Sequence, residues 1–310
     1  MTRRLRRLAV SAVACAALAL GASCSAAPEP PSQPTFRAPE DAVKALGAAV
    51  EKGDLDGVVA IFGADGKELI DSSDPVTARH NRQVFATAVA ERWRLVDEGD
   101  HKTLVIGNEE WPFPVPLVQE AGGWRFDTAA GKEEVLARRI GRNELAAIEV
   151  CRTYVTAQRL YAKLRHDGKR AGLYARTVRS DPGRQNGLYW PPVRGQARSP
   201  LGDLMAEAAE ERGSGGDRQQ PSPFHGYYFK ILTAQGAAAA GGAKDYVVNG
   251  EMSGGFALVA WPAQYDATGI MTFVVNQDGI VHEKDLGPGT EAAARIITSY
   301  DPDASWAAAE

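Results

Sequence analysis

The spacing of apolar residues changes several times along the chain, and each change marks an expected element. Val43, Leu46 and Val50 recur at helical spacing after Pro39, and Leu55, Val58, Val59 and Ile61 repeat the pattern beyond Gly53. Pro39 suits a first helical turn, where Glu40 and Asp41 complement the positive end of the helix. A longer helix is predicted from roughly Pro75 to Val96, with Val84, Phe85, Val89, Trp93 and Leu95 directed inward. The period then shortens, and "KTLVIG", "PVPLVQE" and "GWRFDTA" read as strands, the last two joined through Ala121-Gly122-Gly123.

The helical period returns in "TAAGKEEVLARRIGRNELAAIEVCRTYVTAQRLYAKLRH". This is either one long helix or two meeting near Gly141, with Asn143 and Glu144 opening the second half. An irregular Gly-, Pro- and Arg-rich stretch, "HDGKRAGLYARTVRSDPGRQNGLYWPPVRGQARSP", follows. A short helix in "SPLGDLMAEAAEE" and a flexible loop in "RGSGGDRQQPSP" come next. Five strands close the pattern: "GYYFKILTA", "KDYVVNG", "GFALVAWPA", "MTFVVNQ" and "IVHEKDL". Turns at Asn249-Gly250, Gly254-Gly255 and Asp278-Gly279 separate several of them. The pattern is α+β. It divides into a signal segment (1–23), a Pro-rich linker (24–38), an N-terminal α+β domain (39–130) and a C-terminal helix with an antiparallel sheet (131–310).

The leader fixes the expected compartment. "MTRRLRRLAVSAVACAALALGASC" combines an arginine cluster, an apolar run from Leu8 to Leu20 and small residues, the three regions of a secretory signal. The run is short for a membrane span. Gly21-Ala22-Ser23-Cys24 resembles a bacterial lipoprotein signal, which implies acylation of Cys24 and attachment to a membrane through lipid. Gly21 stands where such signals carry a large aliphatic residue, so an ordinary cleaved signal is the alternative. Pro28, Pro30, Pro31, Pro34 and Pro39 make the next segment an extended stalk.

Composition narrows the chemistry. A formal net charge of −4 without a basic block gives no support for nucleic-acid binding. Cys15 falls within the leader, so Cys151 has no internal disulfide partner. Its place beside Ile148 and Val155 on one helical face marks it as a buried small hydrophobe. The dispersed histidines His80, His101, His166, His225 and His282 include no zinc-type spacing. No Gly-x-Ser-x-Gly elbow occurs, and "GAAAAGGAK" lacks the Ser or Thr that follows a phosphate-loop Lys. No catalytic residue, metal or cofactor is assigned.

The aromatic residues offer a second candidate. Tyr189, Trp190, Tyr228 and Trp261, with His225 beside them, form either core or the lining of a groove for a sugar, peptide or lipid. In "MTFVVNQDGIVHEKDLG", Asp278-Gly279 reads as a hairpin turn, and His282 with its acidic neighbours as a solvated face.

Segments from "WPFPVPLVQEAGGWRFDTAAGKEEVLARRIGRNELAAIEVCRTYV" through "HGYYFKILTAQG" and "DYVVNGEMSGGFALVAWPAQY" to "MTFVVNQDGIVHEKDLG" resemble the bacterial family called domain of unknown function 2950. That resemblance implies export and carries no activity. Members often have an Asp/Asn/Gly-rich stretch suggestive of calcium after the long helix. The corresponding "LRHDGKRAGLY" has a single Asp and lacks the oxygen ligands calcium needs. The opening helix pair resembles the nuclear-transport-factor-2-like fold. The half from Asn143 onward resembles a pseudopilin head, without the pilin leader or the long exposed apolar helix of a filament subunit. The expectation is an exported, lipid-anchored envelope protein that binds a partner or small ligand. An extracytoplasmic hydrolase using dispersed carboxylates is the alternative.

Overall fold

The computed structural model describes residues 33–70, 75–195, 197–205, 208 and 222–309. The signal segment, Cys24 and the first part of the Pro-rich linker lie outside the described residues, as does the expected loop at 212–221. Of the short helix expected beyond Ser199, a turn at 202–205 is described.

The first core forms where apolar faces of short helices meet a twisted sheet. Helices α1 (Pro39–Glu51) and α2 (Leu55–Phe62) bury Val43, Leu46, Val58 and Phe62. The Asp54 carboxylate caps α2 by accepting the Gly57 N–H at 2.9 Å. Helices α3 (Gly66–Ile70) and α4 (Pro75–Glu91) complete the helical part. Strands β1 (Trp93–Asp97), β2 (His101–Ile106), β3 (Trp111–Pro112), β4 (Leu117–Glu120) and β5 (Gly123–Phe126) make an antiparallel sheet.

The fourth helix ends at Glu91 and does not extend to Val96 as its spacing predicts. Trp93 to Asp97 is strand β1, paired with β2 from Trp93↔Ile106 to Asp97↔Lys102. Trp93 and Leu95 alternate with Arg94 and Val96, and that two-residue period overrides the helical spacing read across Arg92. Val84, expected in the core, is 53% exposed. Residues ahead of α1 join this core. Phe36 pairs with Trp124, and the Gln33 amide donates to the Ile61 and Phe126 carbonyls.

A single helix, α5 (Thr128–Lys163), runs from this core into a second one. Asp127 caps it by accepting the Ala130 N–H, and Thr128 Oγ1 donates to the Phe62 carbonyl. The helix is continuous through Gly141, so Asn143 and Glu144 start no second helix. They fasten α5 to a loop instead: the Asn143 amide donates to the Thr268 carbonyl, and Glu144 accepts the Ile270 and Met271 N–H groups.

The second core lies between α5 and a five-stranded antiparallel sheet. Its order is β14 (Ala307–Ala308), β13 (Val281–Asp285), β12 (Met271–Asn276), β11 (Ala257–Pro262), β6 (Tyr227–Leu232). Every residue of β11 is buried, because α5 contacts the strand as does α6 (Thr290–Ile296). Lys230 holds α6 by donating to the Ala294 and Arg295 carbonyls near its negative end. Four two-residue strands, β7 (Ala234–Gln235), β8 (Lys244–Asp245), β9 (Val247–Val248) and β10 (Glu251–Met252), edge this core.

Of the three expected turns, those at Asn249-Gly250 and Asp278-Gly279 form by different means. Asn249 and Gly250 have φ of 52° and 79°, as a primed hairpin turn requires. Between β12 and β13 only Gly279 takes positive φ, at 86°. The local acceptor in this turn is the buried Asn276, whose Oδ1 takes the Asp278 N–H at 3.0 Å. The Asp278 carboxylate in turn accepts from the Asn276 amide.

Gly279→Val should destabilise the protein by about 1 kcal/mol or more, because a β-branched residue is strained at positive φ. Asp278→Asn should leave the melting temperature nearly unchanged; a loss matching that of Gly279→Val would give Asp278 a role beyond the turn. Cys151 has no exposed surface, and burial pushes its thiol up to about 12. Native protein should therefore label slowly with thiol reagents and unfolded protein rapidly. Rapid labelling with the fold intact would contradict the assignment.

Candidate functional site

The long helix ends in a turn that bends the chain back beside it. Asp167 and Gly168 both take positive φ, 48° and 76°, and the Lys169 N–H closes the turn on the His166 carbonyl. The Gly172 N–H reaches back to the Ala162 carbonyl, and His166 Nε2 lies 3.0 Å from the Tyr161 carbonyl. These contacts satisfy carbonyls that the end of α5 leaves without helical partners. His166 also stacks on Tyr161, with centroids 4.0 Å apart.

The irregular stretch is then fixed by long-range bonds. Gln158 is fully buried on the apolar face of α5. Its side-chain amide pairs with the Ala175 peptide unit, donating to the carbonyl at 2.8 Å and accepting the N–H at 2.9 Å. The same amide reaches Tyr154 Oη, which donates to the Ala257 carbonyl of β11. The Tyr174 N–H bonds the Met252 carbonyl of β10. The Asp167 carboxylate accepts from the Gln185 N–H and pairs with Arg184 at 3.3 Å.

These ties enclose a cavity of about 450 Å³ between the end of α5, residues 166–186 and β10. Tyr161, His166, Tyr174 and Met252 supply apolar and ring surface. Its charged lining comprises Lys169, Arg170, Arg176 and Arg184 against Asp167, Asp181 and Glu251. Lys169 pairs with Glu251 at 3.5 Å, and Asp181 exchanges hydrogen bonds with Asn186. Burial, reinforced by the Asp167 charge, raises the Tyr161 phenol to about 12. That phenol donates to the Gln185 carbonyl and so stays protonated as a wall of the site. A second concavity of about 340 Å³, lined by Val274, Ile296, Ile297 and Trp306 among others, is mainly apolar in its side chains.

The aromatic residues expected in a groove fall into two groups. Tyr228 and Trp261 pair across β6 and β11, with ring centroids 5.8 Å apart. Trp261 is buried, and Lys230 lies 5.9 Å from its ring. His225 precedes them at φ 48°, its ring 4.0 Å from that of Phe224. Tyr189 and Trp190 sit in the irregular stretch. Arg179 lies over the half-buried Tyr189, while the buried Trp190 donates to the Ala197 carbonyl and stands 5.5 Å from His166. Trp190 thus backs the cavity through His166.

Sequence reasoning weighed the cavity stretch "LRHDGKRAGLY" only as a calcium site and gave its residues no other role. One signal pointed there. Gln158 stands at an apolar position of the stripe Ala147, Cys151, Tyr154, Tyr161, where a polar side chain needs a buried partner.

Fold and cavity define an α+β protein with two hydrophobic cores and a polar, arginine-bearing pocket at the distal end of its long helix. It belongs to the family described as Protein of unknown function (DUF2950), whose profile covers residues 33–309. No curated protein and no solved structure matches the chain. Among the described residues no group of three or more His, Cys, Asp or Glu is placed to hold a metal ion, and no helix is long and apolar enough to cross a membrane.

Replacing Gln158 tests how the pocket is held. Gln158→Leu keeps the volume but leaves both polar groups of the Ala175 peptide unpaired in a buried setting. The expected loss is on the order of 3 kcal/mol. Proteolysis should open the chain between residues 164 and 190 before the sheet is cut. Unchanged stability would show that Gln158 does not carry the loop.

Proposed function

We propose that this protein is an exported, lipid-anchored binding module of the bacterial cell envelope, and that the cavity beside the end of α5 takes its ligand. The observation that supports binding is a pocket of about 450 Å³ whose walls are held by buried side-chain-to-backbone bonds. A preformed concavity with convergent polar groups and some ring surface can hold a small polar molecule. Support for export and anchoring comes from the arginine cluster, the apolar run and the Gly-Ala-Ser-Cys ending of the leader. A doubly acylated Cys24 anchors stably, whereas a single chain holds only marginally.

The two parts are tested separately. Cys24→Ala should move the protein from the membrane fraction to the soluble fraction. Wild-type protein already soluble and beginning after residue 24 would overturn the anchor. For the pocket, native mass spectrometry of protein exposed to an envelope extract should show a bound small molecule. Thr233→Trp, which places an indole at the exposed Thr233 of the rim, should abolish it with the melting temperature preserved. Retention of the molecule by this variant would place binding elsewhere.

A further inference from the structure

The charges around the cavity do not balance locally. Arg184 is paired with Asp167 and Lys169 with Glu251, while Asp181 shares its hydrogen bonds with Asn186. Arg170 and Arg176 also line the cavity, and among the described residues neither guanidinium has an ion pair or hydrogen bond. Exposed arginines commonly face solvent alone. Here two of them share one concavity, and the remaining lining includes only one carboxylate without a cationic partner, Asp181. Guanidinium groups hold a pair of oxygens on a carboxylate or a phosphate by paired N–H donors, so two of them in one concavity suit either anion.

A second, independent group points to a ligand. His166 lines the same cavity and is 6% exposed. A carbonyl can only accept, so the contact with Tyr161 places the proton of the neutral ring on Nε2. Nδ1 is then a bare acceptor, buried and without a partner among the described residues. Such an atom is costly to leave unsatisfied. Nδ1 is closed to solvent in this structure, so a ligand hydroxyl donates to it once the His166 ring shifts toward the cavity.

We propose that the cavity binds a small hydroxylated oxyanion, a carboxylate or phosphate held by Arg170 and Arg176 with a neighbouring hydroxyl donating to His166 Nδ1. This rests on the reading of the cavity as the binding site and gives that site its ligand class. The arginines supply charge attraction and orientation, and the histidine distinguishes a hydroxylated acid from a bare ion. Tyr161 and Tyr174 offer ring surface to the carbon skeleton between the two polar ends.

Calorimetric titration of the full chain at low ionic strength tests this with three probes: inorganic phosphate, glycerol 3-phosphate and gluconate. The hydroxylated probe that fits should bind at least tenfold more tightly than inorganic phosphate. The double variant Arg170→Gln/Arg176→Gln should weaken it at least tenfold, with the melting temperature unchanged because both residues are exposed. His166→Phe, which retains a ring to stack on Tyr161, should bring the hydroxylated probe down to the affinity of inorganic phosphate. Equal binding by wild type and the arginine variant, or no binding of any probe at millimolar concentration, would overturn the ligand class. Binding of the probe by Thr233→Trp as by wild type would overturn the cavity itself. A ligand from the envelope extract lost in Thr233→Trp but retained in the arginine variant would keep the cavity and reject the oxyanion. Vesicles of phosphatidylglycerol displacing glycerol 3-phosphate would replace the small ligand by a lipid headgroup.

Discussion

The pairing of the Gln158 side-chain amide with the Ala175 peptide is the contact on which the second half of the molecule turns. A long irregular segment cannot satisfy its own backbone when it lies against a core, and each unpaired buried N–H or carbonyl carries a cost. Gln158 supplies one donor and one acceptor in the geometry of another peptide group. It thereby lets a loop residue that is 1% exposed lie against the helix without a strand beside it. The amide also reaches Tyr154, and Tyr154 reaches Ala257, so one polar chain joins loop, helix and central strand. Fully satisfied networks of this kind fix a single arrangement where apolar contacts alone tolerate several.

The same helix sets the rest of the frame by similar means. Asn143 and Glu144 hold the loop before β12, and Arg159 donates to the Gln277 carbonyl in the hairpin after it. Both ends of β12 are therefore pinned to α5 by side chains, while Tyr154, Cys151 and Val155 fill the space between helix and sheet. At the pocket, Arg170, Arg176 and His166 Nδ1 have no partner among the described residues. In a chain with net charge −4, the cavity lining carries more cations, Lys169, Arg170, Arg176 and Arg184, than carboxylates, Asp167, Asp181 and Glu251.

The sequence made the sheet legible because its signals are local. Short apolar runs along β6, β11 and β12 and the glycines of the turns announce these strands within about six residues. The error at Trp93 is also local: two apolar residues that continue a helical spacing equally well begin an alternation, and pairing with β2 decides between them. The pocket had no such signal, because its parts meet across distance: Gln158 with Ala175, Tyr174 with Met252, Asp167 with Gln185. The aromatic residues attracted attention for their chemistry, but Trp190 and Trp261 carry large apolar surfaces, and burial claims them first. A polar residue inside an apolar stripe, as at Gln158, was the better guide to where the loop would dock.

Helix geometry connects the proposed anchor to the proposed ligand. The chain enters the first core at Gln33 and Phe36, and α5 leaves that core at Thr128. Its 36 residues span about 54 Å at 1.5 Å per residue. The pocket lies at the far end of that rod, beside Tyr161 and Leu164. In the anchored form the helix can therefore carry the pocket tens of ångströms from the bilayer surface, several Debye lengths from its headgroups. That separation favours a diffusing hydroxylated acid over a lipid headgroup as the source of the oxyanion.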